Sequence, residues 1–111
     1  MAGKYVISKR SNGEFQFVLK AGNGQTILAS EGYGDKSGCR NGIASVQSNS
    51  PNDERYTRKT SSNAKPYFVL TAANHQVIGT SELYSSETAR DDGIASVKQN
   101  GPTTTVEDTT A

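Results

Sequence analysis

The chain of 111 residues is an internal duplication with a spacing of 51 positions. The pattern Phe-Val-Leu-x-Ala-x-Asn-x-Gln-x-Ile at Phe17–Ile27 returns at Phe68–Ile78, and Gly-Ile-Ala-Ser-Val at Gly42–Val46 returns at Gly93–Val97. Of 46 pairs aligned without a gap, 19 are identical. A residue that both copies need for folding should occur twice, whereas a residue found in one copy is not part of the shared plan.

A duplication of this size predicts one domain with a shared core. Units of about fifty residues bury too little surface to be stable alone. Only 32% of the residues are hydrophobic, so the core is thin and both copies must contribute to it. We therefore expect a single domain over residues 1–111, with repeats at about 4–51 and 55–102. We expect the tail at 103–111 to be partly flexible, and whether 103–108 adds an edge strand stays open.

Each repeat has the pattern of three strands followed by one helix. Runs of aromatic and β-branched residues predict strands, and Asn-Gly and Ser-Asn pairs predict turns between them. Apolar residues spaced three and four apart predict the helices, with Asp35 and Ser85 as expected N-caps. The predicted strands are Lys4–Ser8, Glu14–Lys20 and Gln25–Ser30, then Arg55–Lys59, Pro66–Thr71 and Gln76–Ser81. The predicted helices run from about Lys36 to Ser48 and from Ser86 to Gln99.

Alternation along the strongest strand of each repeat assigns one of its faces to the core. The expected core residues are Phe15, Phe17, Leu19, Ile27, Cys39, Ile43, Val46, Phe68, Leu70, Ile78, Ile94 and Val97. Val18 and Val69 point to the other face and are apolar in both copies. We expect that second face to be covered by the partner repeat or by another chain. Gly42 and Gly93, inside the helices, are expected to allow close approach between helix and sheet.

With these motifs the chain resembles the YegP-like family of small uncharacterised bacterial proteins, in its duplicated form. The resemblance rests on Gln-x-Ile, Ser-Glu-x-Tyr and Gly-Ile-x-Ser-Val, each present twice in that order, and it covers nearly the whole chain. It implies an α+β fold of two tandem βββα repeats. The repeats would form one pseudo-twofold-symmetric domain with an antiparallel sheet and two helices. The resemblance implies no biochemical activity.

The composition excludes several classes of function. Twelve basic and eleven acidic residues leave a formal net charge of +1, which provides no overall attraction to nucleic acid or to anionic membranes. Cys39 is the single cysteine, so neither an intramolecular disulfide nor a cysteine-clustered metal site can form. No apolar stretch has the length of a membrane span or of a signal peptide. We expect a cytoplasmic protein that is monomeric and makes no membrane contact.

The best candidate for a binding site is the Ser-Glu-x-Tyr motif, which lies where the third strand of each repeat leads into the helix. Its residues are Ser30, Glu31, Tyr33, Ser81, Glu82 and Tyr84. One interpretation is structural: the tyrosine packs at the helix start and the glutamate is solvated or caps an amide. The other is functional, and it predicts a pair of symmetry-related pockets that hold a polar ligand.

Candidate catalytic and metal-binding residues do not survive comparison of the two copies. Cys39 and His75 would be the obvious nucleophile and base, but they align with Arg90 and Gly24. We expect a buried cysteine and a solvent-facing histidine at a hairpin tip. Asp91 and its neighbour Asp92 are also specific to one copy, so we expect a solvated helix face. The sequence thus predicts no enzyme, metal site or cofactor.

A cluster of basic and aromatic residues on the first strand of each repeat suggests an alternative function. Cationic strands that carry aromatic rings can bind single-stranded nucleic acid through phosphate contacts and base stacking. The candidate residues are Lys4, Tyr5, Lys9, Arg10, Arg55, Tyr56, Arg58 and Lys59. Charged edge strands also prevent edge-to-edge aggregation, which offers a structural explanation of the same residues.

The sequence therefore predicts a non-enzymatic module that binds an unknown protein partner or a small polar ligand. Contact would occur through the second face of the sheet, around Val18 and Val69, or along an exposed edge strand. Binding of single-stranded nucleic acid is the alternative. The sequence does not identify the ligand or the partner.

Overall fold

The computed structural model describes residues 3–110, and these form seven strands and two α-helices. The elements are β1 (Lys4–Lys9), β2 (Phe15–Lys20), β3 (Thr26–Ala29), α1 (Lys36–Asn49), a short 3-10 turn (Asp53–Arg55), β4 (Tyr56–Thr60), β5 (Pro66–Thr71), β6 (Val77–Thr80), α2 (Glu87–Asn100) and β7 (Val106–Asp108). The predicted α+β fold of two βββα repeats is confirmed. Residues 103–108, left open by the sequence, include the strand β7.

All seven strands belong to one sheet in the order β4-β5-β6-β3-β2-β1-β7. Each repeat is an antiparallel meander, and the two meanders join where β3 pairs with β6 through Ala29 and Thr80. This order reads the same from either repeat, so the pseudo-twofold axis passes between β3 and β6. β7 lies outside the symmetry and pairs parallel with β1.

Both helices pack on the same face of the sheet. Phe17 and Leu19 of β2 and their equivalents in β5 form a single buried cluster with the helix residues Ile43, Val46 and Val97. The repeats lie side by side in the sheet, so neither covers the second face of the other. The expectation that the partner repeat covers this face is therefore wrong. Val18 is partly exposed there, although Val69 is buried.

The sequence predicts the N-cap of α1 correctly and that of α2 wrongly. Asp35 caps α1 as predicted, since its carboxylate accepts a hydrogen bond from the amide of Gly38 at 2.6 Å. The cap of α2 is Ser86, whose side chain accepts from the amide of Ala89 at 3.0 Å, and not Ser85. Ser86 is the residue 51 positions after Asp35, so the duplication itself identifies the correct cap.

The repeats stabilise each other at the helix ends. The Tyr5 hydroxyl in β1 donates to the carbonyl of Gly101, just after α2, at 2.5 Å. The Tyr56 hydroxyl in β4 donates to the carbonyl of Ser50, just after α1, at 2.7 Å. Each tyrosine thereby satisfies a carbonyl group at the C-terminal end of a helix, where no intrahelical donor is left. Burial raises the pKa of both tyrosines above the ordinary value, so these hydroxyls stay protonated donors.

The two outer edges of the sheet are protected in different ways. At β1, the strand β7 occupies the edge, and Asp108 forms ion pairs with Lys36 at 3.0 Å and with Arg40 of α1 at 3.1 Å. At β4, none of residues 3–110 adds a further strand. Ion pairs lie there instead, between Arg58 and Asp91 at 3.1 Å and between Lys98 and Asp53 at 2.6 Å. Charged side chains on an edge strand oppose pairing with another chain.

Neither described helix has the length and apolarity needed to cross a membrane.

Candidate functional site

The serine of each Ser-Glu-x-Tyr motif is part of the sheet. The Ser30 hydroxyl accepts a hydrogen bond from the amide of Phe17 at 2.9 Å and donates to the carbonyl of Glu31 at 2.8 Å. Ser81 repeats both contacts in the second copy, at 3.0 and 2.8 Å. Both donor and acceptor functions of each hydroxyl are used within the backbone. The serines therefore hold the end of β3 or β6, and they lie outside the clefts described below.

The tyrosine of each motif lies between the sheet and its helix. The Tyr33 ring stacks on Phe17 with centroids 6.3 Å apart, and Tyr84 stacks on Phe68 at the same distance. A Cβ atom at Gly42 would lie only 2.8 Å from Cζ of Tyr33. Gly93 meets Tyr84 in the same way, at 2.7 Å. The expected close approach is confirmed, and the group accommodated is chiefly the tyrosine ring.

Next to each tyrosine lies an open cleft, formed by the helix of one repeat and the second hairpin of the other. The first has a volume of about 260 Å³ and is lined by Glu31, Tyr33, Gly38, Asn41, Gly42, Ser45, Ala72, Asn74, Gln76, Val77 and Ile78. The second has a volume of about 360 Å³ and is lined by Ala21, Asn23, Gln25, Thr26, Ile27, Glu82, Tyr84, Ala89, Asp92, Gly93 and Ser96. Both volumes lie near the lower end of the range typical of small-molecule sites.

The two clefts are lined by equivalent positions of the two repeats. Each of the eleven residues around the first cleft has its counterpart, 51 positions away, around the second. Eight of these eleven pairs are identical, against 19 of 46 across the aligned repeats. The three differences are Gly38 against Ala89, Asn41 against Asp92, and Val77 against Thr26.

Several identical lining residues are exposed and polar. Glu31 and Gln76 in the first cleft, like Glu82 and Gln25 in the second, are exposed to solvent. Packing does not require a particular residue at such positions, so the fold alone does not explain their identity in both copies. Asn74 has a structural role as well, because its side-chain oxygen accepts a hydrogen bond from the turn amide of Gln76 at 3.0 Å.

The charges that line both clefts favour a ligand with hydrogen-bond donors and disfavour a negatively charged ligand. Glu31 or Glu82 supplies a carboxylate, and no Lys, Arg or His among residues 3–110 lines either cleft. Burial, and secondarily the nearby glutamate, raises the pKa of Tyr84. The pKa of Tyr33 is raised by burial first, then by Cys39 and Glu31. Both phenol groups are therefore neutral at physiological pH, and neither hydroxyl hydrogen-bonds to any residue in 3–110.

The remaining catalytic and metal-binding candidates are not brought together. Cys39 has no exposed surface, and burial raises the pKa of its thiol, so a substrate cannot reach a reactive thiolate. His75 is exposed at the tip of the β5–β6 hairpin, at a positive φ of 70°. Within residues 3–110 no three His, Cys, Asp or Glu side chains are placed to hold a metal ion.

The structure contradicts base stacking on the two strand tyrosines. Tyr5 has no exposed surface and Tyr56 is 7% exposed, because both rings belong to the hydrophobic core. Each hydroxyl is already bonded to a carbonyl at a helix end. A base cannot stack on a ring that lies inside the core, so the aromatic half of the nucleic-acid prediction is wrong.

The candidate cations do not form one basic surface either. Lys4 lies on the open face and pairs with Glu107 at 2.8 Å. Arg58, on the helix face, pairs with Asp91 at 3.1 Å. The other four are Lys9, whose ammonium group lies over the Phe15 ring, Arg10, which bonds Gln16, Arg55, which bonds Asn49, and Lys59, which is exposed on β4. Phosphate contacts would have to compete with most of these pairings.

Sequence reasoning identified the glutamate and the tyrosine of each cleft as candidate site residues and missed the other lining residues. Glu31 and Tyr33, both candidates from the sequence, line the first cleft together with Asn74 and Gln76 of the opposite repeat, for which the sequence pattern indicates only a turn and a strand. Their signal was the polar Asn-x-Gln pattern, which occurs in both copies. Asp92 is exposed on its helix, as expected, and it also lines the second cleft.

Comparison with known proteins confirms the family suggested by the sequence. The model of the family described as Domain of unknown function (DUF1508) matches the chain twice, at residues 11–56 and 61–108. The UPF0339 protein of Shewanella oneidensis is 61% identical over 110 residues, which are 99% of this chain and all of that protein. The UPF0339 protein YegP of Escherichia coli K12 is 58% identical with the same coverage.

Two solution NMR structures have the same fold. The structure of the Shewanella oneidensis UPF0339 protein superposes with a TM-score of 0.91 and covers 97% of this chain and 92% of its own. The structure of Escherichia coli yegP, titled a protein of unknown function, superposes with a TM-score of 0.93 and covers 98% and 94%. Their identities to this chain are 61% and 58%. The names of these relatives state no function.

Proposed function

This chain belongs to the family described as Domain of unknown function (DUF1508), and because that description states no activity, we propose a function from the geometry of its paired clefts. Each cleft binds one small polar molecule, and the protein acts as a binding module without catalysis or cofactor. We also propose that the protein is monomeric and located in the cytoplasm. Its main support is that all eleven lining positions of one cleft recur in the other, including exposed polar residues.

The lining residues indicate the kind of ligand. Each cleft offers a carboxylate, a tyrosine hydroxyl, a serine hydroxyl and side-chain amides above an apolar floor of Ile27 or Ile78. A carboxylate accepts hydrogen bonds only, and a negative ligand would find no basic partner among the lining residues that the structure describes. The ligand is therefore neutral or positively charged, and rich in hydrogen-bond donors.

A fragment screen by two-dimensional ¹H–¹⁵N NMR tests the proposal. Small polyols, primary amines and carboxylates of similar size would be titrated separately into the labelled protein. We expect polyols or amines to shift the amide signals of Gly42 and Gly93 together with those of Gln25 and Gln76. Carboxylates should leave these signals in place. If no fragment shifts signals in either cleft, the proposed function is wrong.

Variants separate binding in the clefts from binding elsewhere. Combining Ser45→Leu with Ser96→Leu fills both clefts with apolar side chains and should abolish the shifts. Glu54→Gln changes a carboxylate in the 3-10 turn, away from both clefts, and serves as the matched control. Shifts that persist in the filled variant, with its fold verified by the remaining spectrum, would place the binding site outside the clefts.

A further inference from the structure

The two clefts differ in charge at one position on the helix. Asn41 of α1 lines the first cleft, and its counterpart Asp92 of α2 lines the second. The first cleft thus contains one carboxylate, from Glu31, whereas the second contains two, from Glu82 and Asp92. Because both positions lie in the same turn of equivalent helices, the helix dipole contributes equally to both clefts. The charge difference between the clefts comes from Asp92.

Neither carboxylate of the second cleft is neutralised by the described residues. Within 3–110, Glu82 and Asp92 form no ion pair and no side-chain hydrogen bond. The adjacent Asp91 is different, because it pairs with Arg58 at 3.1 Å and with Arg90 at 3.2 Å. One helix therefore carries a paired carboxylate outside the cleft next to an unpaired one that lines it.

We propose that the second cleft, lined by Glu82, Tyr84 and Asp92, is selective for a positively charged amine, whereas the first cleft does not share this selectivity. This inference rests on the proposed function and names the ligand class of one of its two sites. An ammonium group carries three donors and no acceptor, which suits two carboxylates and a hydroxyl.

Matched probes of equal length distinguish charge from shape. 1,4-Diaminobutane carries two positive charges at neutral pH, and 1,4-butanediol replaces both amines by hydroxyls. Each would be titrated into the labelled full-length protein at low ionic strength, with the amides of Gly93 and Gly42 reporting on the second and first clefts. Exposed ion pairs are weak, so we expect the diamine to bind the second cleft about 1.5- to five-fold more tightly than the first. The diol should show no comparable preference.

Reciprocal substitutions test whether Asp92 is the cause. Asp92→Asn should remove the preference, and Asn41→Asp should raise diamine affinity in the first cleft by the same factor. Asp91→Asn makes the same change of net charge on the same helix but outside the cleft, so it should leave the preference intact. Raising the salt concentration should reduce the preference, since salt screens exposed charges.

The outcomes separate this inference from the proposed function. Equal diamine binding in both clefts, or a preference that survives Asp92→Asn, would refute charge selectivity while leaving ligand binding in the clefts intact. An equal effect of Asp91→Asn and Asp92→Asn would show general electrostatic attraction and would also refute it. If neither the diamine nor any polyol shifts the cleft amides, both proposals fail.

Discussion

Exchanging a leucine and a glycine at positions related by the pseudo-twofold axis tests the packing between the two repeats. Leu28 of β3 is 1% exposed and corresponds to Gly79 of β6. A Cβ atom at Gly79 would lie 2.6 Å from Cδ2 and 2.7 Å from Cγ of Leu28. The space at the axis therefore accommodates one leucine side chain and excludes a second. Identical residues at these two positions would either collide or leave a void.

The single and double substitutions should differ strongly in stability. Leu28→Gly should cost about 4 kcal/mol, of which about 3 is the lost leucine in the core and about 1 is glycine in a strand. Gly79→Leu should cost about 2 kcal/mol or more by overpacking. Independent effects would then sum to about 6 kcal/mol, which is comparable to the total stability of a small domain. The double variant returns one leucine to the axis, so we expect it to lose only about 1–2 kcal/mol.

Urea denaturation followed by far-ultraviolet circular dichroism would give the four free energies of unfolding that this cycle needs. The expected coupling energy is about 4–5 kcal/mol, favouring the double variant. Costs that simply add in the double variant would refute the shared space at the axis. A stable Gly79→Leu variant would refute it as well.

Three further changes should alter the stability of the fold, the first two by lowering it and the third by raising it. Tyr5→Phe and Tyr56→Phe should each cost about 1–1.5 kcal/mol in urea denaturation, because a carbonyl at a helix end loses its donor; no loss would mean that water replaces the hydroxyl. Hydrogen bonds from Thr110, then Lys36, hold the pKa of Asp108 below its usual range. The ionised Asp108 carboxylate therefore stabilises the folded state above about pH 4, and this stabilisation is lost as the pH falls and the carboxylate becomes protonated. Melting temperatures of wild type and Asp108→Asn should converge in acid, and a constant gap would contradict this. Ala64→Gly and His75→Gly, at positive φ of 66° and 70°, should each raise stability by about 0.5 kcal/mol; a loss would reveal an unrecognised side-chain contact.

The strands and helices could be predicted well from the sequence, because they depend on interactions between residues close together in the chain. Hydrophobic periodicity and turn residues located six strands and both helices within a few residues of their observed bounds. The cap of α2 was the exception, since Ser85 and Ser86 are equally good N-caps by residue type. Choosing between them needed the register of the duplication, which places Ser86 opposite Asp35.

The strand tyrosines show where sequence pattern and burial disagree. Tyr5 and Tyr56, between basic residues, have the pattern of a nucleic-acid surface. Each ring instead lies in the core, because its hydroxyl can reach a free carbonyl after a helix. That carbonyl belongs to a residue 96 positions from Tyr5. For Tyr5 no local pattern contains such a contact, whereas the acceptor of Tyr56 is the carbonyl of Ser50, 6 positions away.

The sequence by itself determined that two equivalent βββα units share one core, because hydrophobic spacing and turn chemistry act between near neighbours in the chain. Only the tertiary structure decided that the units lie side by side in one sheet, with one face open. It also decided that each cleft joins a helix from one repeat to a hairpin from the other, as Tyr33 and Gln76 show. The relative placement of the repeats depends on how β3 meets β6, where Leu28 fills the space left by Gly79. That choice is made by packing between residues far apart in sequence, for which local periodicity carries no information.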